Sequence, residues 1–529
     1  MIKLRKNVED KKKRFIRHGP FQGSYYIRIQ TNERIKINRT YFSPDRKKNP
    51  DKIAIMFTSR TTLQEMFLLF IFLAAIFGAI YKDYPLLSSY GADEDFDVMK
   101  PFLMDSGYSL YKDIWNDQPP VFSYILWAWL KIWGFSLPAA RILITLFSSA
   151  LLLALYSAVK MINGRKGAWF SMLCLILSPY FLQMSSIVLI GMPAMSLLMI
   201  SYALAVYYEK QGTLFSFLGS LIFFVLAAGT KLMACLGLPF LIIIWIMGER
   251  NHGALKLSNF LWILSALFLL SSYYFLLKDQ LLDTHVMARH RIGGYHFRTI
   301  LSWIYSQSYC LLAACFIFLK FFQLKKTVAL MSLCWFICTL VILLLHRPVW
   351  HHYSLFLSVP LCLCAGIGFN EMIQMKKQIL ASLGLLGIGL VLGGSIPSHL
   401  KKYREIHDLT YQEHAPLMEC VWFLKNVPTS GPVFTDRPII AFQAGKCVIP
   451  ELCVYSLKRF YTGYLNDDYL TEALKKYSPD VLLFYNPVPM NYSKLIHYIH
   501  AHYVSSYSPD GSKFFFKRQK TTWKTKISN

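Results

Sequence analysis

The sequence predicts an α-helical polytopic membrane protein with about 11 transmembrane helices, followed by a small α/β domain at the C-terminus. Of the 529 residues, 54% are hydrophobic and the mean hydropathy is +0.36, which is typical of membrane proteins. Apolar runs of about 20 residues, the length that crosses a bilayer, recur between residues 63 and 397. From residue 398 the apolar runs shorten and polar residues become more frequent.

The apolar runs define the predicted spans and the domain boundaries. The eleven candidate spans are about 63–82, 139–160, 167–184, 187–208, 214–230, 232–248, 257–277, 308–323, 327–345, 353–370 and 378–397. We therefore divide the chain into a basic N-terminal segment (1–60), a transmembrane domain (61–397) with an external loop at 83–137, and an external C-terminal domain (398–529).

The distribution of charge predicts the orientation in the membrane. The formal net charge is +26, and residues 1–60 hold 17 Lys or Arg against 5 Asp or Glu. Lys and Arg collect on the cytoplasmic side, so we expect the N-terminus inside, in contact with anionic lipid headgroups, with no nucleic-acid partner. The segment has no secretory apolar region and so is not a signal peptide. Short basic connections at 163–166, 209–212, 248–256, 323–326 and 370–377 fit the same orientation, which places the C-terminal domain outside.

The external loop is the most polar part of this apolar region. Residues 90–120 contain six Asp and one Glu, and such acids must lie in water or at a membrane rim because hydrocarbon excludes them. Asp95–Ser106 is predicted to be a short helix that ends at Gly107. After Pro119-Pro120, Val121–Trp133 is predicted to be an amphipathic helix whose aromatic residues form an interfacial belt or, alternatively, stack against a sugar.

The C-terminal part alternates predicted helices and strands. Helices are expected at 411–426, 467–477 and 490–502, and strands at 432–435 and 480–485. A turn at 508–511 joins two further strands, because its glycine supplies a positive φ. This alternation predicts a small α/β fold.

The order of motifs in the external loop resembles a known family. An Asp-Glu pair (Asp93-Glu94), a Gly-x-x-x-Tyr-x-Asp segment (Gly107–Asp113) and a Pro-Pro pair (Pro119-Pro120) follow one another. This order resembles the first external loop of the GT-C glycosyltransferases, in particular the aminoarabinose-transferase and protein-mannosyltransferase group. The resemblance covers most of residues 63–517 and continues through Pro138–Arg141, Asn163–Gly167, Gly229-Thr230-Lys231, His351-His352-Tyr353 and the tail segments VFTDRPIIAFQAGKCVIPEL and KRFYTGYLNDDYL.

The resemblance implies an activity. It implies an integral membrane glycosyltransferase of the bacterial inner membrane that takes a sugar from a polyprenyl-phosphate carrier on the external face. The acceptor would be lipid A, a surface glycan or a protein, and the anomeric carbon would be inverted. Asp93 and Glu94 are the candidate catalytic residues: Asp93 as the base that takes the acceptor proton, and Glu94 as the residue that orients the loop or the acceptor.

The leaving group is a lipid phosphate, which calls for nearby cations. Lys231 is either such a cation or a lysine that reaches for the membrane interface. The other candidate substrate-binding residues are Arg347, His351, His352, Tyr353, Tyr111 and Asp113. Adjacent histidines without a third ligand are weak evidence for a metal site. We therefore expect no cofactor, while a divalent cation at Asp93 and Glu94 stays open.

One position departs from the family pattern. Many relatives carry a second Asp before a Met-Pro pair, whereas this chain has Gly191 before Met192-Pro193; Asp95 or Asp97 is the alternative source of a second acid. Two rival functions follow: a catalytically silent relative that binds polyprenyl lipids, and a transporter or flippase. A transporter would place ionisable groups near the bilayer midplane, on broken helices of repeated halves.

Overall fold

The computed structural model describes residues 26–28, 34–36, 92–185, 187–252, 263, 266–267, 271–272, 297–319, 327–346, 349–375, 378–486, 492–507 and 513–517. The chain divides into two compact units, Met1–Ala75 and Ile76–Asn529. In the first unit, strands β1 (Tyr26–Arg28) and β2 (Arg34–Lys36) pair antiparallel. The predicted span at 63–82, most of the span at 257–277, and Arg347 lie outside the described residues.

The described part of the second unit is mostly helical as far as residue 426. Its helices are α1 (Ala92–Asp105), α2 (Val121–Trp133), α3 (Leu137–Asn163), α4 (Arg165–Ile176), α5 (Pro179–Met184), α6 (Gly191–Gln211), α7 (Leu214–Ala228), α8 (Leu238–His252), α9 (Phe297–Ser306), α10 (Ser308–Leu319), α11 (Thr327–Leu345), α12 (Ser354–Ile373) and α13 (Gln378–Asn426). Short 3₁₀ turns at Leu232–Gly237 and His351–Tyr353 lead into α8 and α12.

Six helices of the described residues are long and apolar enough to cross a membrane, or seven if α9 and α10, bent by 77°, form one span. The predicted count of 11 is therefore not reproduced within the described residues. One predicted span, 167–184, is divided into α4 and α5, because Pro179 begins a new helix after Ser178. Another, 214–230, is the 15-residue helix α7, which is short for a bilayer.

Helix α12 lies at the centre of the bundle, and glycines bring its backbone close to its neighbours. A Cβ on Gly366 would come within 2.6 Å of the carbonyl oxygen of Gly167 on α4, and one on Gly368 would clash with the carbonyl oxygen of Ala313 on α10. Such contacts leave no room for a larger side chain. They fix the C-terminal half of α12 against α4 and α10.

Three of the predicted cytoplasmic connections, those that begin near Asn163, Lys210 and His252, lie together at one end of the bundle. Asn163 at the end of α3 donates to the carbonyl of Ile367, 2.8 Å away. Lys210 at the end of α6 donates to the carbonyl of Met161, and His252 at the end of α8 contacts the carbonyl of Glu209 at 2.9 Å. The helix ends predicted to share one membrane face are therefore neighbours, as the charge pattern indicates.

The transition to the C-terminal part is one continuous helix. Helix α13 has 49 residues and passes through Pro397 and Pro416, and its segment 378–401 is one of the six membrane-length helices. The predicted boundary at residue 398 thus falls inside a helix rather than in a linker, and the helix predicted at 411–426 is its last part. Proline removes one helical hydrogen bond and strains a helix without always ending it.

The C-terminal part contains a four-stranded sheet. Its elements are β3 (Phe434–Thr435), α14 (Pro438–Gln443), α15 (Leu457–Tyr461), α16 (Asp467–Tyr477), β4 (Val481–Phe484), α17 (Ser493–His502), β5 (Tyr503–Tyr507) and β6 (Lys513–Lys517). The strand order is β3-β4-β6-β5, with β3 parallel to β4 and the other pairs antiparallel. The strands predicted from the sequence are present, and residues such as Phe434, Leu470, Leu482 and Ile499 form the core that joins sheet and helices.

Candidate functional site

The consecutive acids of the external loop lie at the start of a helix. Helix α1 starts at Ala92, three residues earlier than predicted, so Asp93, Glu94 and Asp95 occupy its first turn. Acidic side chains are favourable there because the helix N-terminus carries partial positive charge. Successive residues of an α-helix point about 100° apart, and the three acids accordingly have three different sets of neighbours.

Glu94 points into the membrane bundle and is fully buried. Its carboxylate accepts hydrogen bonds from Arg141 of α3, at 3.0 Å from Nε and 2.8 Å from Nη2, and from the backbone N–H of Val188 at 3.0 Å. A two-pronged guanidinium–carboxylate pair is geometrically specific. Glu94 therefore anchors the first turn of α1 to the bundle.

Asp95 points to the C-terminal part and is also fully buried. Nε of Arg437, in the turn between β3 and α14, lies 2.7 Å from Oδ2 of Asp95. Further along α1, the ring of Phe102 packs edge-on against Phe442 of α14 with centroids 5.8 Å apart. Helix α1 is thus held on one side by the bundle and on another by the C-terminal part.

Asp93 is the one acid of the three that stays accessible, with 55% of its side chain exposed. Its Oδ2 lies 3.4 Å from Nδ1 of His352, at the start of α12. The surrounding protein withdraws water from the carboxylate and so raises its pKa above the ordinary value, while Lys231 opposes that rise. Asp93 is therefore a recessed but reachable carboxylate with a strengthened affinity for a proton.

Lys231 faces the same place from the connection between α7 and α8. Its side chain is buried, with Nζ 4.9 Å from the ring centre of Tyr353 and 5.9 Å from that of Phe356. The N–H of Val121 donates to the carbonyl of Gly229 at 2.9 Å, which ties the start of α2 to this connection. Desolvation lowers the pKa of Lys231 to about 8, and Asp93 partly offsets it. A lysine that reaches for water at the interface would be exposed, so the burial favours the anion-binding interpretation.

Two further ion pairs surround Asp93 and Lys231. Asp97, one turn after Asp93 on α1, lies 3.1 Å from Nζ of Lys100, and Asp117 lies 2.9 Å from Nζ of Lys458 on α15. Burial raises the pKa of Asp97, which Lys100 opposes. We call the set Asp93, Asp97, Lys100, Asp117, Lys231, His352 and Lys458 the Asp93 cluster.

The Asp93 cluster combines what sugar transfer from a phosphate carrier requires. It holds an accessible carboxylate that can accept a proton and a desolvated ammonium group that can hold an anion. Asp117 interacts electrostatically with both Asp93 and Lys231, so it belongs to the cluster as well as to the loop between α1 and α2. Among the described residues, no group of three or more His, Cys, Asp or Glu is arranged to hold a metal ion.

The other candidate substrate-binding residues are distributed differently. Tyr353 borders the cluster through Lys231, whereas His351 stacks near Tyr180, with ring centres 6.3 Å apart. Tyr111 donates to the carbonyl of Gln118 at 2.7 Å, and Asp113 accepts from the N–H of Ser109 at 2.8 Å. These last two hydrogen bonds shape the loop between α1 and α2, so the structure assigns Tyr111 and Asp113 a local role, and contact with substrate stays a prediction.

Gly191 opens α6 beside the cluster. A Cβ at this position would lie 3.8 Å from the carbonyl oxygen of His352 and 3.8 Å from the Phe356 ring, an ordinary contact distance. Position 191 therefore has room for a Cβ where the sequence has glycine. Of the two acids suggested as substitutes, Asp95 is held by Arg437, and Asp97 lies on the same helix face as Asp93 and pairs with Lys100.

Three partners of the acids did not emerge from the sequence: Arg141, Arg437 and Lys458. Each lies in a segment that carried the family resemblance, namely Pro138–Arg141, VFTDRP and KRFYTGY. The signal available was a basic residue inside each segment. Nothing in the sequence indicated which acid each would meet, since Arg437 and Asp95 are 342 residues apart.

Comparisons with known proteins find a similarity of sequence over part of the chain and a similarity of fold over most of it. Residues 117–275 match the family model of dolichyl-phosphate-mannose-protein mannosyltransferase. The fold is similar to that of ArnT from Cupriavidus metallidurans in the apo state, with a TM-score of 0.60 and 13% identity over 85% of this chain and 98% of that one. The structure of the same protein bound to undecaprenyl phosphate gives a TM-score of 0.58, again at 13% identity, over 85% and 97% of the two chains. No curated protein sequence matches the chain significantly.

Proposed function

We propose that this chain, which has the fold of the GT-C glycosyltransferases and carries a mannosyltransferase-family segment at 117–275, is a membrane glycosyltransferase. It takes a sugar from a polyprenyl-phosphate carrier and transfers it to a lipid, glycan or protein acceptor of the cell envelope. The observation that carries the proposal is that three consecutive acids differ in their burial and in their partners. Glu94 and Asp95 are fully buried in ion pairs, and Asp93 alone is left accessible beside a buried lysine.

The reaction follows from the groups in the Asp93 cluster. The acceptor hydroxyl or amine attacks the anomeric carbon, a new bond forms there, and the bond from that carbon to the phosphate oxygen breaks. The acceptor proton passes to the Asp93 carboxylate, and the electron pair of the broken bond leaves with the carrier phosphate. A single displacement of this kind inverts the anomeric carbon. His352, 3.4 Å from Asp93, orients the carboxylate.

Lys231 is the group that holds the carrier phosphate. A buried ammonium group bonds an anion more strongly than an exposed one because water competes less. The two aromatic rings beside it keep Lys231 fixed without neutralising it. The match to the ArnT structure bound to undecaprenyl phosphate spans nearly all of that chain, and we carry this class of carrier lipid over to the present chain.

The external orientation is part of the proposal. The Asp93 cluster and the C-terminal part share one end of the bundle, opposite the end where the connections around Asn163, Lys210 and His252 meet. Those connections are basic, so we assign them to the cytoplasm of a bacterial cell with an inner membrane. The cluster and the C-terminal part then face outward.

Reporter fusions test this orientation. We expect a fusion after Lys377 to give a cytoplasmic signal and a fusion after Asn426 an external one, because α13 lies between them and its segment 378–401 is long enough to cross the bilayer. The same signal from both fusions would mean that α13 does not cross and that the C-terminal part faces the cytoplasm.

The activity itself is tested by mass spectrometry of envelope glycolipids and glycoproteins from cells with and without the gene. We expect one envelope molecule to lose a single sugar residue without the gene and to regain it when the gene returns. A protein that binds undecaprenyl phosphate but changes no envelope molecule would be a silent relative. A carrier lipid that accumulates on one membrane face, with every glycan intact, would indicate a flippase.

Replacing Lys231 by methionine is expected to weaken binding of undecaprenyl phosphate by about 10–100-fold, the worth of a hydrogen bond to a charged group. Affinity is measured on purified protein in nanodiscs. In the wild type it should fall as the pH rises through about 8, where Lys231 loses its proton. The bound phosphate favours the charged lysine and so raises the pKa of Lys231 in the complex; the affinity therefore falls between the pKa of the free protein and that higher value. In Lys231→Met, affinity should be low and nearly independent of pH over the same range.

Lys131→Met is the matched control, since Lys131 also lies over an aromatic ring, Trp127, but is exposed and outside the Asp93 cluster. We expect its affinity and pH dependence to match the wild type. Equal affinities for Lys231→Met and the wild type would return Lys231 to a purely structural role.

A further inference from the structure

Besides contributing Lys458 to the Asp93 cluster, the C-terminal part is attached by an ion pair to the first turn of α1. Arg437 and Asp95 meet at 2.7 Å, with the Asp95 side chain fully buried and that of Arg437 mostly so. Breaking one partner of a buried pair leaves an uncompensated charge, which strongly disfavours the arrangement that holds it. The pair is therefore a firm attachment, and it lies two residues from Asp93.

The backbone around Arg437 is itself fixed. Its N–H donates to the hydroxyl of Thr435 at 3.1 Å, and its guanidinium lies 5.4 Å from the ring centre of Tyr485. The neighbouring Asp436 accepts hydrogen bonds from the N–H groups of Tyr485 and Asn486 at 2.7 and 2.8 Å. These contacts connect the turn after β3 to the end of β4, so the sheet of the C-terminal part supports Arg437.

The same turn of α1 is held on its other side by Glu94 and Arg141. Two buried ion pairs, about 100° apart around the helix, fix both the position and the rotation of that turn. Asp93 is in no buried ion pair of this kind: it lies 3.4 Å from His352, and 55% of its side chain is exposed. Its direction thus depends on what holds its neighbours.

We infer that Arg437 is a positioning residue for sugar transfer: by holding Asp95, it lets the C-terminal part set the angle at which Asp93 meets the acceptor. The inference rests on the proposed function for the role of Asp93. The structural part of the inference, that Arg437 fixes the first turn of α1, does not depend on any activity. The C-terminal part then completes the site rather than only extending from it.

Hydrogen exchange tests whether Arg437 fixes the first turn of α1. In Arg437→Met, which keeps the length of the side chain, we expect faster exchange in peptides covering α1 and unchanged exchange in peptides covering α12. Arg437→Lys retains the charge but not the planar geometry and should restore part of the protection. Lys476→Met is the control, because it removes an exposed ion pair of the C-terminal part, with Glu451, that does not touch α1. Unchanged exchange of α1 in Arg437→Met would overturn the inference.

Kinetics test the link to Asp93. A small misplacement of a reacting group can cost up to about 100-fold in rate, so we expect Arg437→Met to lower kcat by about 10–100-fold. The affinity for undecaprenyl phosphate, which Lys231 sets, should change by less than about 3-fold. If Arg437 acts through Asp95, the double variant Asp95→Asn/Arg437→Met should be no slower than the slower single variant. A double loss equal to the product of the two single losses would show that Arg437 acts on its own and would overturn the inference.

The proposed function and the anchoring role of Arg437 can be refuted separately. A wild-type protein that transfers no sugar, combined with faster α1 exchange in Arg437→Met, would refute the proposed function and leave the anchoring role intact. A wild-type protein that transfers sugar, combined with unchanged exchange and kcat in Arg437→Met, would support the proposed function and refute the anchoring role of Arg437.

Discussion

Asp93→Asn is expected to lower the rate of sugar transfer by about 100–10,000-fold, the usual cost of removing a positioned general base. The substitution keeps the size of the side chain and removes its charge. Because 55% of the Asp93 side chain is exposed, the thermal unfolding temperature should change little. At a pH where Lys231 keeps its proton, the affinity for undecaprenyl phosphate should not fall, since removing a negative charge beside Lys231 does not hinder the binding of an anion. At higher pH the affinity should fall earlier than in the wild type, because the Asp93 carboxylate raises the pKa of Lys231.

The pH dependence sharpens this expectation. Desolvation raises the pKa of Asp93, so the base becomes active at a higher pH than an ordinary aspartate, whose pKa is about 3.9. Transfer by the wild type should fall as the pH drops through that raised value, because Asp93 is then protonated. The residual activity of Asp93→Asn should lack this acidic fall.

Asp105→Asn is the matched control, because Asp105 lies at the opposite end of α1 and pairs with the exposed Lys131. Its transfer rate should match the wild type. Asp97→Asn tests which of the two acids on this helix face, Asp93 or Asp97, is the base. If Asp97→Asn abolishes transfer while Asp93→Asn retains it, the base is Asp97, and activity retained in both would refute the carboxylate mechanism.

The helical fold followed from local patterns. Apolar runs predicted α3, α6, α8, α11 and α12, because burial in a bilayer demands length and composition that a sequence shows directly. Breaks inside the runs were harder to predict, since the division between α4 and α5 depends on how Pro179 packs. The continuity of α13 through Pro397 and Pro416 was also unexpected, because proline in a helix depends on compensation by its surroundings.

The site was predictable in part, for a different physical reason. Asp93, Lys231 and His352 were singled out because they lie in motifs that resemble the GT-C family and because charged groups between apolar segments are costly unless they serve a purpose. The structure places these three together, and contact with substrate remains a prediction. The division of roles among Asp93, Glu94 and Asp95 was not predictable. It depends on Arg141 and Arg437, which lie 47 and 342 residues away along the chain.

Glu94→Gln is expected to destabilise the protein by about 3–5 kcal/mol, the cost of leaving a buried charge without its partner. Glu94 accepts three hydrogen bonds, two from Arg141 and one from Val188. Glutamine keeps the shape but turns one acceptor into a donor, so its amide group would face the donors around it. The unfolding temperature in detergent should fall well below that of Asp93→Asn, the same kind of change one residue earlier.

Replacing both partners by leucine, in Glu94→Leu/Arg141→Leu, should recover part of the lost stability because no buried charge is then left without a partner. An unfolding temperature like that of the wild type in Glu94→Gln, together with lost transfer, would instead assign Glu94 a direct part in the reaction.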